Sequence, residues 1–169
     1  MMKRTVLTAL LLGSAGLWST SAQALGFVSC SVSANGVAFG VYDPHSGNDL
    51  DSSGSVTFEC TLIIGLLDLR TVSFEVQLDA GSSGSFTPRT LASGNDTLAY
   101  SLYADAARTT IWGDGTGGTV TNSGSFRFPA LIGIGTTREE TFTTYGRIFG
   151  SQFVPAGSYN DTITVTVLY

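Results

Sequence analysis

Few residues in this sequence could do chemistry, and each must be weighed by its neighbours. The single histidine lies in Asp43-Pro44-His45-Ser46-Gly47. An imidazole serves as general base only beside a nucleophile and an orienting acid, and no Gly-x-Ser-x-Gly elbow occurs in the chain. The flanking Pro44 and Gly47 predict an exposed turn instead. The stretch Gly113-Asp114-Gly115-Thr116-Gly117-Gly118 has the glycine density of a phosphate cradle, but no Lys-Ser/Thr pair follows and no helical pattern begins there, so it reads as a hairpin turn. Asp49-Leu50-Asp51-Ser52-Ser53-Gly54 opens like a calcium loop. Its twelfth position is Cys60, however, with Glu59 one residue too early to close the site. The remaining carboxylates are scattered, and none forms a distinguished acid and base pair. The expectation is a protein that is not an enzyme and holds neither cofactor nor metal ion.

The elements that position these residues lie outside the cytoplasm on this reading. Lys3 and Arg4 precede an apolar run that ends near Trp18, and Ser21-Ala22-Gln23-Ala24 supplies a small-x-small ending. This is the pattern of a secretory signal over residues 1–24, with cleavage expected after Ala24 and one domain over 25–169. No later run offers the roughly 18 apolar residues of a spanning helix, so the mature chain is expected to lack a transmembrane segment. Loss of Lys3 and Arg4 takes the formal charge from −5 to −7, and every base that remains is an arginine. No basic patch is left to neutralise phosphates, which argues against nucleic acid as a partner. Both cysteines, Cys30 and Cys60, fall in the exported part, where two thiols at a spacing that fits no zinc motif point to one disulfide.

Gly, Ser and Thr dominate the mature chain, a composition poor for helices and suited to short strands joined by turns. Residues 71–79 set Val72, Phe74, Val76 and Leu78 against Ser73, Glu75, Gln77 and Asp79. The same period of two puts Val56, Phe58 and Cys60 on one face, and Leu98, Tyr100 and Leu102 on another. At the end of the chain Ile163, Val165, Val167 and Tyr169 alternate with Thr162, Thr164 and Thr166. Ser46-Gly47-Asn48, Gly81-Ser82-Ser83-Gly84 and Ser93-Gly94-Asn95 supply turns between such strands. The pattern predicts an all-β sandwich.

Taken in order, Cys30-Ser31-Val32-Ser33, the run Val37-Ala38-Phe39-Gly40-Val41-Tyr42-Asp43-Pro44, Cys60-Thr61, Trp112-Gly113-Asp114-Gly115, Tyr145-Gly146-Arg147-Ile148 and Pro155-Ala156-Gly157-Ser158-Tyr159-Asn160-Asp161 resemble the spore coat protein U family. That family includes subunits of archaic, Csu-type chaperone-usher pili. The resemblance implies an immunoglobulin-like sandwich that lacks its last strand and is completed by a strand donated from a periplasmic chaperone or from the next subunit. It also implies an outer-membrane usher and other pilus subunits as partners, and a path through the periplasm to a surface fimbrium or an extracellular coat. On this view Ile163, Val165, Val167 and Tyr169 line or border the acceptor groove; the plainer alternative is an ordinary core strand of a complete sandwich.

Leu25-Gly26-Phe27-Val28-Ser29 is all that precedes Cys30 after cleavage. Five residues span about 17 Å, whereas a donor strand of ten spans over 30 Å, so the subunit is expected to accept a strand but not to give one. That role suits the tip or another end of a fibre. Two apolar stretches would then be candidate adhesive loops: one with Leu62, Ile63, Ile64, Leu66, Leu67 and Leu69, the other with Leu131, Ile132 and Ile134. Burial of both stretches in the core is the competing expectation. Arg147 is read as pairing with a carboxylate. Two other functions stay open: a coat protein not built into a pilus, and a small carbohydrate-binding sandwich suggested by Trp112 beside Asp114.

Overall fold

The computed structural model describes residues 9–10, 20–21, 27–64, 70–129 and 133–169. Among these residues it contains strands and one short 3-10 turn, Gly81–Ser83, and no helix long and apolar enough to cross a membrane. The strands are β1 (Ala9–Leu10), β2 (Thr20–Ser21), β3 (Val28–Asn35), β4 (Leu50–Leu62), β5 (Arg70–Leu78), β6 (Arg89–Ser93), β7 (Asp96–Tyr103), β8 (Asn122–Phe128), β9 (Thr137–Ile148) and β10 (Thr164–Leu168). They form two sheets, ordered β1-β10-β5-β8 and β2-β3-β4-β9-β7-β6, with every named pairing antiparallel. This is a disulfide-stapled, all-β sandwich of immunoglobulin-like type.

Alternation explains which faces meet. Val56, Phe58, Cys60 and Leu62 of β4 point inward with Val72, Phe74, Val76 and Leu78 of β5, and all eight are buried. Phe58, Phe74 and Phe126 form the aromatic centre, with ring centroids 4.7 to 5.7 Å apart, within the range of favourable offset and tilted packing. Cys30 and Cys60 stand directly opposite each other on β3 and β4 and are joined by a disulfide across a Cα–Cα distance of 4.0 Å. The bridge therefore ties the start of β3 to the middle of its own sheet.

Alternation marks β4, β5, β7 and β10 only; of the other strands, β9 and β6 show why. β9 is central, paired to β4 from Leu50↔Ile148 to Thr61↔Thr137, yet its first three residues, Thr137, Arg138 and Glu139, are exposed and polar, and of its first six residues only Phe142 is apolar and packs against the core. β6 begins with Arg89, whose side chain is buried: Nε and Nη2 donate to the Asp79 carbonyl at 3.1 and 2.8 Å, and Nη2 also donates to the Trp112 carbonyl at 2.8 Å. Burial lowers the affinity of this guanidinium for its proton, an effect partly offset by Tyr100 and the surrounding aspartates. Gly146 makes a further close approach possible, since a Cβ there would meet Val37 and Phe39 at 2.7 Å. The segment after β3 thus lies against β9 only because that position has no side chain.

Candidate functional site

The side of the sandwich that carries β10 and β3 has the least regular pairing. β10 bonds to β5 from Val165↔Leu78 to Leu168↔Glu75. Among the described residues, its other flank meets Ala9 and Leu10, opposite Val165 and Thr164. In the second sheet, among the described residues, the outer flank of β3 meets Thr20 and Ser21, opposite Val32 and Ser31. β1 also lies against β3, so the two flanks face the same gap. Among the described residues, Thr166, Val167 and Leu168 have no strand partner on that side.

The four residues expected to border a groove sit here. Ile163, Val165 and Val167 point inward and are buried, and the Tyr169 ring packs against Phe58 at 5.5 Å. Ile163 precedes the strand itself, which starts at Thr164. Inward-facing residues next to an unpaired backbone flank are what a groove lining requires, and they also belong to the continuous core. The expected donor segment is shorter than the sequence suggested. Val28 and Ser29 are the first residues of β3, paired with Leu62 and Thr61, and the Phe27 carbonyl accepts from the Ile63 amide at 2.9 Å.

The apolar stretches resolve into different parts. Leu62 is the buried last residue of β4, which corrects its assignment to an exposed loop: the strand runs two residues further than its alternation had been read, and its inward register continues. Ile63, Ile64 and Ile134 are exposed by 43, 52 and 70%. They are gathered at one pole by bonds between the residues next to them: the Leu62 amide donates to the Thr136 carbonyl at 2.8 Å, and the Gly135 amide to the Leu62 carbonyl at 2.7 Å. Leu66, Leu67, Leu69, Leu131 and Ile132 lie outside the described residues.

The remaining candidates for chemistry are accounted for by local bonding. His45 is exposed in a turn beside Asp43 (Nδ1 to Oδ1, 3.7 Å) and the Phe153 ring, neither a nucleophile. Asp49 and Asp51, the start of the calcium-like stretch, face Arg147: its Nε and Nη2 donate to both oxygens of Asp51 at 2.8 and 2.9 Å, and Nη1 lies 3.4 Å from Asp49. These hydrogen bonds hold the Asp51 carboxyl below its usual range, and the charge of Arg108 at 3.2 Å adds to the effect. In the 113–118 turn, the Asp114 Oδ1 accepts from the Thr116 amide and hydroxyl at 2.9 and 2.7 Å. Trp112, offered from sequence as a sugar platform, is 0% exposed and donates its indole N–H to the Val76 carbonyl at 3.0 Å. That reading of Trp112 is corrected: hydrogen bonds between Trp112 and Leu102 and between Gly113 and Leu78 fold its segment in against the sheets.

Comparison with known proteins bears on the whole chain. The family model described as Spore Coat Protein U domain matches residues 19–166. A relative, Protein U of Myxococcus xanthus, is 32% identical over 138 residues, spanning 78% of this chain and 70% of Protein U. Among solved structures, the CsuC-CsuE chaperone-tip adhesion subunit pre-assembly complex from the archaic chaperone-usher Csu pili of Acinetobacter baumannii aligns at 20% identity with a TM-score of 0.46. That alignment covers 84% of this chain and 40% of the other. On the extent of the family match and the identity to Protein U, the chain belongs to the Spore Coat Protein U domain family.

Proposed function

We propose that this chain is an exported, non-enzymatic structural and adhesive subunit of a surface fibre, carried through the periplasm by a pilus chaperone and passed to an outer-membrane usher. One observation supports the reading: among the described residues, Thr166, Val167 and Leu168 of β10 have no strand partner on the side away from β5, beside the buried apolar side chains of Val165 and Val167. An extended segment placed there would gain backbone hydrogen bonds from the sheet edge and pockets for alternate side chains. Ile163, Val165, Val167 and Tyr169 are the residues such a strand would cover.

The subunit accepts a strand and does not give one. With cleavage after Ala24, residues 25–27 alone precede β3, a reach of about 10 Å at 3.3 Å per residue. The disulfide holds the following residues within their own sheet. Such a subunit belongs at an end of the fibre, and the pole bearing Ile63, Ile64 and Ile134 is its contact with apolar surfaces.

The test is to express the chain in a periplasm with and without its cognate chaperone, purify it, and add a peptide copying a shaft subunit's N-terminal extension. Recovery only with chaperone, uptake of the peptide and no fibres from the chain alone are expected. A chain that folds unaided and ignores the peptide is instead a coat protein outside any pilus.

A further inference from the structure

The outer face of β5 and β10, at the pole opposite Ile63 and Ile134, carries a concavity of about 350 Å³. Its size falls at the small end of ligand sites, which run from roughly 300 to 1,000 Å³. The cross-strand partners Gln77 and Thr166 form its floor, Phe86 one wall, and Asp79 and Asp114 its rim.

These groups are set for recognition of hydroxyls. Gln77 donates its amide nitrogen to Glu75 at 2.7 Å, which fixes the amide and leaves its oxygen as an acceptor. Asp114 commits one oxygen to Thr116, and its other oxygen makes no hydrogen bond to another described residue. The Thr166 hydroxyl, both donor and acceptor, has no side-chain hydrogen bond among the described residues. Phe86 is held in place from behind, where the buried Arg89 guanidinium lies 5.1 Å from its ring centroid and is itself anchored on the Asp79 and Trp112 carbonyls. Among the described residues the site therefore offers an aromatic wall, the Gln77 and Asp114 oxygens as acceptors and the Thr166 hydroxyl with no side-chain hydrogen bond. Two carboxylates against one buried guanidinium disfavour an anion at the rim.

We propose that this concavity binds a neutral saccharide, with a pyranose ring face against Phe86 and its hydroxyls donating to Asp114 and Gln77. The sequence had placed a sugar platform one loop away, at Trp112; Asp114 is common to both, and the aromatic partner is different. The inference does not require the strand-acceptor reading: Thr166 belongs to β10 in both, but here it is its outward side chain that is used.

To test it, the purified full-length exported chain, in complex with its chaperone if recovered that way, is applied to an array of neutral and acidic glycans. The best neutral ligand is then titrated calorimetrically. Binding to neutral glycans is expected, weakened about tenfold or more by Phe86→Ala and severalfold by Asp114→Asn, and nearly retained by Phe86→Tyr. Should Phe86→Ala fail to fold, Thr166→Arg fills the site from the exposed face and must abolish binding at an unchanged melting temperature. Absence of neutral-glycan binding, binding to acidic glycans alone, or affinity unaffected by Phe86→Ala or Thr166→Arg would each overturn the proposal.

Discussion

β4 and β10 carry the same apolar alternation but meet opposite fates. β4 is paired along its length by β9 and over its second half by β3, and a disulfide joins Cys60 to the neighbouring strand. β10 is paired to β5 on one side, and its other flank meets two residues. Similar side-chain patterns therefore build a ladder paired on both sides in one place and, among the described residues, one with three positions lacking a second strand partner in the other. What differs is only which backbone lies alongside, and an open edge above apolar residues is an invitation to another strand.

That contrast can be broken most severely at the staple. Replacing Cys30 and Cys60 together by serine is expected to destabilise the chain by about 3 kcal/mol in denaturant titrations, since the bridge closes a long loop and both residues are buried. A sharper comparison comes from two equal deletions. Val56→Ala in β4 and Val167→Ala in β10 each remove methyl groups from a buried site, at a cost of about 2 kcal/mol. Only Val167→Ala should also weaken uptake of a donor peptide, severalfold by titration; equal effects from the two variants would place the acceptor surface elsewhere.

Smaller effects follow at the outer surface of the stapled sheet. Asp51→Asn removes the paired acceptor of Arg147 and a partner of Arg108, and because the group is partly exposed and solvent-screened the expected cost is about 0.5 kcal/mol at neutral pH. The folded-state pKa of Asp51 is depressed, so its contribution is complete above the unfolded value near 4 and is lost as pH falls through the folded value. Wild type and Asp51→Asn should accordingly converge in stability as the pH falls below about 4. Smallest in stability is Ile134→Ser on the apolar pole, expected within about 0.5 kcal/mol of wild type while reducing retention on a hydrophobic surface. A large loss of stability there would mean the residue is packed rather than presented.

Much of the fold was legible because one face of most strands is buried. β5 and the inward residues of β7 and β10 follow directly from period two, and the Arg147 pairing from the preference of guanidinium for carboxylate. β9 was not legible: its start is exposed and its inward positions are Glu140, Phe142, Thr144, Gly146 and Ile148, so no apolar period marks it, and its pairing to β4 is set by backbone bonds that any residue can make. Arg89 was hidden for the converse reason. A buried arginine is tolerated because two backbone carbonyls accept its hydrogens, and nothing in the local sequence reports where those carbonyls will be.

By itself the sequence determined that the chain builds strands, which side chains of the clearest strands face inward, and that two cysteines stand ready to pair; these depend on local alternation and composition. Only the tertiary structure decided that Val28 and Ser29 belong to the chain's own sheet, that Trp112 is interior, and that β10 pairs with β5. The physical reason is that a side chain's face is set by its nearest neighbours in sequence, whereas the partner of a strand edge is set by hydrogen bonds between residues far apart along the chain.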